Sequence, residues 1–331
     1  MLSFMLFAIA AIFTVIAAVK LSTYADVISE RTSLGGMLVG TLLLAGATSL
    51  PEVTTSATAI LVGSPDLAVG NVLGSNLFNL MILASFDIIY RKKRLLGNIH
   101  SGHQLSGFIG LALTALVLVT ILVPTNVVIL GTGIEMYLMV LFYVYSLRKM
   151  SEQEKSVPEI AAANEEVEDT TSKTKQVSLK TAKIGFAVSA ILIFFSGSLL
   201  TIFGDQIAAT TGLEASFVGS FLIAAATSLP EVVTVLVALQ LANYNLAVGN
   251  ILGSNVFNMM ILVLSDLLFQ TGSILASVSH TLSFTAFFVI ILNIIVLAHM
   301  LYLRQKQPSS FYIVPSVVLL IVYFIASFII F

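Results

Sequence analysis

One stretch of this chain occurs twice. Residues 45–87, AGATSLPEVTTSATAILVGSPDLAVGNVLGSNLFNLMILASFD, return 179 positions later as residues 224–266, AAATSLPEVVTVLVALQLANYNLAVGNILGSNVFNMMILVLSD, without a gap and with 25 of 43 positions identical. Internal repetition of this kind fixes the architecture before any local pattern is read, because one unit is then built twice. Weaker agreement upstream, Leu21, Asp26 and Ile28 against Leu200, Asp205 and Ile207, extends the repeat toward the N-terminus. Nearly every polar group set within apolar sequence belongs to the duplicated core, so function is expected there.

The surroundings of the repeat are lipid. Hydrophobic residues make up 58% of the chain and charged residues 10%, against about 25% charged in a soluble domain. No globular core of 331 residues needs so much apolar surface. Cysteine is absent, which excludes disulfides, thiolate chemistry and Cys-ligated metal. The first residues, MLSFMLFAIAAIFTVIAAV, lack a basic leader and an A-x-A cleavage pattern and read as a retained span. The net charge of −2 singles out no partner, and nucleic acid is not expected among the partners.

Ten apolar stretches are long enough to cross about 30 Å of hydrocarbon, near 2–20, 36–62, 67–88, 105–123, 126–147, 184–203, 216–241, 246–268, 281–302 and 312–330. With the N-terminus outside, all 15 lysines and arginines fall on the cytoplasmic side, an asymmetry that a wrong span count scrambles. Both termini are therefore expected outside. Five spans per copy reverse the direction in which the second copy crosses the membrane. The expected fold is an all-α membrane protein of ten transmembrane helices in two inverted-topology five-helix repeats, a common build for secondary transporters with a midplane site. Residues 1–147 form the first repeat, 148–183 a cytoplasmic linker and 184–331 the second. The linker's mixed charge fits a solvated segment.

Within each copy the chemistry converges on Ala-Thr-Ser-Leu-Pro-Glu. Pro51 has no N–H to give the carbonyl of Ala47, and Pro230 none for Ala226; backbone freed in a membrane has to be satisfied by neighbours, water or an ion. Thr48, Ser49 and Glu52 share a helix face by spacing, as do Thr227, Ser228 and Glu231. A loosened carbonyl, two hydroxyls and a carboxylate form a cluster of hard oxygens suited to Ca2+, Na+ or Mg2+. A charge at mid-bilayer costs at least about 2.5–3.5 kcal/mol, and no intramembrane Lys or Arg offsets either glutamate. Downstream, Asn71, Ser75 and Asn79 form a polar stripe at i, i+4, repeated as Asn250, Ser254 and Asn258. Gly70 and Gly74 lie beside the stripe, and the small residues are expected to let this helix press against Glu52.

Other polar residues carry less. Asp87 and Asp266 end the two copies near opposite surfaces and read as helix-end groups. Asp26 and Asp205 lie at opposite membrane edges. Glu135, near the middle of the fifth span, is a candidate third titratable group or a peripheral glutamate reached by water. His100, His103, His280 and His299 fall in loops or at span ends without ligand spacing.

The paired ATSLPE and GN-x-x-GSN-x-F-N motifs resemble the two α-repeats of the calcium/cation antiporter superfamily, in its prokaryotic sodium/calcium exchanger branch. The resemblance covers the ten-span layout and both repeats. It implies alternating access, with Ca2+ extruded against Na+ influx and spans 1 and 6 acting as a sliding gate. Carried over by motif position, the implied metal ligands are Glu52, Thr48, Ser49, the Ala47 carbonyl, Ser75 and Asn79, with Glu231, Thr227, Ser228, the Ala226 carbonyl, Ser254 and Asn258 as their mates. Proton-coupled calcium exchangers carry an acidic residue three positions after Gly-Asn, where this chain has Gly74 and Gly253. Familiar sodium/calcium exchangers carry an aspartate where this chain has Asn258.

Two carboxylates give the site −2, which one Ca2+ or two Na+ neutralise. The expectation is a multi-pass protein of the cell (inner) membrane that exchanges Ca2+ for Na+, with the transported ions as its ligands, no cofactor, the lipid bilayer around it and a monomeric state. The alternative is a same-fold antiporter coupled to H+ or moving another cation. A channel does not need two mirrored half-sites, and intramembrane proteolysis needs a Ser–His or Asp–Asp pair that is not visible, so no enzyme is expected.

Overall fold

The computed structural model describes residues 2–31, 46–96, 99, 101–125, 127–155, 177–305 and 312–330. Its long helices are α1 (Leu2–Arg31), α2 (Leu50–Leu61), α3 (Pro65–Ile89), α4 (Ser101–Leu122), α5 (Ile134–Lys155) and α6 (Leu179–Thr211). Then come α7 (Ala215–Phe217), a π-helical stretch Val218–Ile223, α8 (Ala224–Thr227), α9 (Leu229–Gln240), α10 (Tyr244–Phe269), α11 (Ile274–Ser277), α12 (Thr281–Gln305) and α13 (Val314–Ile330). Among the described residues seven helical stretches are long and apolar enough to cross a membrane, and the 17-residue α13 is a shorter apolar helix. Outward-facing Leu2, Ile12 and Phe13 on α1 and Phe324 and Phe328 on α13 are exposed, as lipid-facing side chains must be when the solvent is hydrocarbon. The expected span at 36–62 falls partly on residues 32–45, outside the described residues.

α3 and α10 are the central pair. Every residue from 67 to 77 is buried. One apolar cluster joins Leu67 and Leu73 to Met259 and Leu262, with Leu113 and Val117 of α4; another joins Leu77 and Leu83 to Val248 and Leu252, with Leu292 of α12 and Leu319 of α13. The start of each helix therefore meets the end of the other, and they run antiparallel. α1 and α6 pack along one another outside this core. They span 30 and 33 residues, about 45–50 Å at 1.5 Å per residue, longer than the apolar stretches alone. No proline or glycine breaks 20–31, so helix formation carries through Lys20 and Asp26. α6 stops where Gly212 turns left-handed at φ +76.

The glycines of α3 serve a different contact from the expected one. A Cβ on Gly74 would lie 2.1 Å from the Ser220 carbonyl oxygen, and one on Gly70 2.9 Å from that of Ser216. Reciprocally, a Cβ on Gly219 would lie 2.7 Å from the Leu67 carbonyl. The two backbones touch, and only glycine permits it. The small residues therefore seat α3 against the irregular 216–220 segment of the second repeat, while its Asn71 amide and Ser75 hydroxyl reach the Glu52 carbonyl and carboxylate at 3.3 Å and 3.5 Å, as expected.

Asp87 and Asp266 do more than cap. Both are fully buried. Asp87 accepts from the Leu96 N–H at 3.4 Å, the Ser316 hydroxyl at 2.6 Å and the Tyr312 hydroxyl. Asp266 accepts from the N–H groups of Ile274 at 2.6 Å and Gly133 at 2.9 Å. Gly133 and Tyr312 are repeat mates, 179 apart, so each aspartate ties down the last helix of the other half. His299, expected at a span end with no role, is buried against the Tyr312 ring at 5.1 Å between centroids. Glu135 is not mid-span. A hairpin, Val128–Ile129 paired with Thr132–Gly133 around Leu130 and Gly131 at φ +50 and +81, uses up the preceding residues and leaves it in the first turn of α5. There it accepts hydrogen bonds from Thr125 at 3.3 Å and from Ser273.

An orphaned buried donor costs about 1–3 kcal/mol. Asp87→Ala strands two, the Tyr312 and Ser316 hydroxyls, while the Leu96 N–H keeps the Tyr312 oxygen at 3.2 Å as acceptor, so the thermal stability of the detergent-solubilised protein should fall by about 2 kcal/mol or more. Tyr312→Phe removes two bonds but strands no donor, because the Leu96 N–H keeps Asp87 as acceptor, and should cost about 1 kcal/mol. Equal, small losses in melting experiments would contradict the tie.

Candidate cation-binding site

The two ATSLPE segments break their helices in the same way. Helix gives way to a turn at Ser49 (φ −86°, ψ 7°) and at Ser228 (φ −87°, ψ 1°), and a new helix starts at Leu50 and Leu229. Pro51 and Pro230 thus sit in the first turn of a helix, where their missing N–H is tolerated, and are not kinks inside one. Glu52 and Glu231 occupy that same first turn, where the helix dipole favours negative charge. Each break points a helix end, with loosened carbonyls at Ala47 and Ala226, and a helix start carrying a carboxylate at the same place.

Around the breaks lie Thr48, Ser49, Glu52, Ser75, Asn79, Thr227, Ser228, Glu231, Ser254 and Asn258, all 0% exposed. The halves interleave: the Thr48 and Ser254 hydroxyls meet at 3.4 Å, and their mates Thr227 and Ser75 also meet at 3.4 Å. One oxygen of Glu52 accepts from Ser75 at 3.5 Å and Ser228 at 3.4 Å, while its other oxygen has no partner. Glu231 has no partner on either oxygen; Thr48 and Ser254 face it without closing to hydrogen-bond geometry. The two carboxylates are near enough to repel each other. Ser49 Oγ is likewise unpartnered. The sequence thus named residues that the fold brings together, and Ala47 and Ala226 are also buried at 4% and 5%. Glu135, bonded to Thr125 and Ser273, and His299, against Tyr312, lie elsewhere, and His100 is outside the described residues. Among the described residues no group of three or more His, Cys, Asp and Glu side chains forms a metal cluster, which fits a site built mainly from hydroxyl, amide and carbonyl oxygens.

Sequence reasoning passed over Asn76 and Asn255, and they orient the site. Asn76 donates to the Asn255 carbonyl at 3.1 Å and Asn255 to the Asn76 carbonyl at 3.5 Å. A carbonyl can only accept, so the nitrogen end of each amide is fixed and its oxygen turned away. Those oxygens then accept from the Asn258 and Asn79 amides, each at 3.0 Å. In consequence Oδ1 of Asn79 and of Asn258 are left buried without partners and available as acceptors. The signal that could have found Asn76 was its identity in both copies within GSN.

The mates Asn71 and Asn250 are not equivalent. Asn71 donates to Thr55 Oγ1 at 2.8 Å, Ser56 Oγ at 2.9 Å and the Glu52 carbonyl at 3.3 Å, and accepts from Thr227 at 3.2 Å. Neither side-chain atom of Asn250 has a partner.

A helical membrane protein with broken helices, paired buried carboxylates and hard-oxygen donors has the form of a cation transporter, and comparisons with known proteins agree. The family model described as "Sodium/calcium exchanger protein" matches residues 2–148 and 181–331. The inner membrane protein YrbG of Escherichia coli K12 is 23% identical over 295 residues, 89% of this chain and 87% of that protein. The putative antiporter CaxA of Alkalimonas amylolytica is 27% identical over 236 residues, 71% of each chain. Among solved structures, the sodium-calcium exchanger NCX_Mj superposes with a TM-score of 0.60 at 18% identity, covering 98% of this chain and 97% of the other. The H+/Ca2+ exchanger CAX gives 0.62 at 12% identity, covering 98% and 87%. The chain belongs to the sodium/calcium exchanger family, a family of membrane antiporters.

Asn76→Ala removes one donor and one acceptor and frees the Asn258 amide to rotate. Ion-free melting should drop by about 1–3 kcal/mol, and cation-induced stabilisation should shrink as well. Both quantities unchanged would mean the amides are not clasped.

Proposed function

We propose that this protein exchanges Ca2+ for Na+ across the cell (inner) membrane by alternating access. Ten spans in two inverted five-helix repeats, 1–147 and 184–331 joined by the 148–183 linker, carry the site, with both termini outside and the monomer as the working unit. The proposed ligands are Glu52, Thr48, Ser49, the Ala47 carbonyl, Ser75 and Asn79, and their mates Glu231, Thr227, Ser228, the Ala226 carbonyl, Ser254 and Asn258.

One observation carries this reading: oxygens from both repeats converge on two carboxylates that have three unpartnered oxygens between them, on helices α2, α3, α9 and α10 that contain no lysine or arginine. A buried carboxylate without a cation is strongly disfavoured, and the two together carry the charge that one Ca2+ or two Na+ cancel. The two loads then compete for the same oxygens, which is what obligatory exchange needs. α1 and α6 are the proposed gate. They meet the site helices through Ala10 and Leu200 beside Ala226, through Gly197 beside Thr54 and through the Thr201 hydroxyl, which donates to the Thr55 carbonyl at 2.8 Å.

Same-fold proton coupling is the second reading, motivated by the likeness to an H+/Ca2+ exchanger. Against it stands Gly74, where even a Cβ lies 2.1 Å from the Ser220 carbonyl, so an added carboxylate there has no space.

The test is uptake of labelled Ca2+ into proteoliposomes loaded with Na+, with and without an imposed potential. Uptake should require the outward Na+ gradient, and a pH gradient should not replace it. Glu52→Gln and Glu231→Gln should each abolish uptake; transport retained by both variants would sink the ligand assignment. Asn258→Asp, which brings the site to −3, should tighten Ca2+ binding, and unchanged or weaker binding counts against Asn258 as a ligand.

A further inference from the structure

Among the described residues Asn250 is a buried amide that the proposed site leaves unexplained, with both its polar atoms unpartnered. It is 2% exposed and Asn71, its repeat mate, 1%. Both polar atoms of the Asn71 side chain are engaged, whereas Asn250 Oδ1 and Nδ2 have no partner. Of the four groups bonded to Asn71, one is a different residue in the other copy. The position equivalent to Ser56, which accepts from Asn71 at 2.9 Å, is Val235, fully buried and without an acceptor. The position equivalent to Thr55 is Thr234, whose hydroxyl donates to the Pro230 carbonyl at 3.0 Å.

A buried amide without a partner is destabilising, so its persistence calls for an occupant. Asn250 lies one helical turn before Ser254 and two before Asn258, on the same stripe of α10. α10 packs on α9, which begins with Glu231, the carboxylate with two unpartnered oxygens. Asn250 Oδ1, both Glu231 oxygens and Asn258 Oδ1 are thus unpartnered acceptors of one repeat. In the other repeat the corresponding amide is engaged at both polar atoms.

We propose that Asn250 and Glu231 form an additional Na+ position, with Asn250 Oδ1 as a neutral ligand and its Nδ2 donating to water retained by the ion. Oxygen ligands suit such hard cations, and a water bridge is nearly as favourable as a direct bond. This inference rests on the cation-antiporter reading and deepens it: two carboxylates neutralise only two Na+, and a further Na+ must lean on dipoles such as this amide. Asn71, by contrast, only positions α2.

The test uses the purified full chain in detergent, with melting followed against added NaCl or CaCl2, since a ligand stabilises according to its concentration over Kd. Asn250→Ala removes an unsatisfied group and should leave ion-free melting unchanged or raised, while weakening the apparent Na+ affinity about tenfold and the Ca2+ affinity less than twofold. Val235→Ser gives the amide the partner that Ser56 gives Asn71; it should raise ion-free melting and weaken Na+ affinity several-fold. Asn71→Ala should lower ion-free melting. The proposal is overturned if Asn250→Ala lowers ion-free melting as Asn71→Ala does, or if its Na+ affinity falls no more than its Ca2+ affinity. A wild-type protein stabilised by neither ion overturns the antiporter reading itself; wild-type binding of both ions with an unaltered Asn250→Ala variant overturns only the additional position.

Discussion

Glu52 and Glu231 sit among apolar helices, α2, α3, α9 and α10, that carry no lysine or arginine, and most of the architecture can be traced to that pair. Each carboxylate sits on the first turn of a helix, where the dipole is favourable. That first turn exists because proline, unable to continue the preceding helix, starts a new one at the same point. The break that makes room for the carboxylate also turns the previous helix end toward it, adding carbonyl dipoles. Hydroxyls from the partner repeat fill in around both. What these groups cannot do is neutralise the charge, and the remaining unpartnered oxygens mark where positive charge has to come from.

The two halves share sequence but not environment. Glu52 has a hydroxyl cradle from Ser75 and Ser228, while Glu231 has none at bonding distance. Asn71 is locked and Asn250 is not. Val235 in place of Ser56 removes one acceptor beside Asn250, whereas Glu231 keeps serines equivalent to Ser75 and Ser228, Ser254 and Ser49, that do not bond to it. Symmetry in the backbone thus coexists with a site whose two sides are chemically unlike.

The framework was legible in the sequence because duplication amplified it. Thr48, Ser49, Glu52, Ser75 and Asn79 each appear twice in apolar surroundings, and lipid leaves polar residues few innocent explanations. Hydropathy alone marked the spans but misjudged α1 and α6, whose amphiphilic ends extend the helix past the apolar run. It also missed the hairpin before α5, where a Leu-Gly turn lacks the usual Asn-Gly signal, so Glu135 was expected mid-span. Long-range partnership was out of reach: nothing local says that Gly74 meets Ser220 or that Asp87 holds Tyr312. Asn76 and Asn255 were visible as repeated letters, yet their role depends on which amide end faces a carbonyl across the interface.

That asparagine clasp has a consequence for how such a chain can be assembled. Asn76 grips Asn255 as Asn255 grips Asn76, and each orients the other's neighbour, Asn258 or Asn79. An interface in which residue i contacts j and j contacts i is isologous, the self-complementary kind that joins identical subunits. The surface that α3 shows to α10 is therefore one that two copies of a single half could present to each other. The covalent join between the halves keeps them together, but the geometry that pairs them is already complete within one repeat. The differences that make the site lopsided could be added after the two copies became one chain without disturbing the contact that holds them.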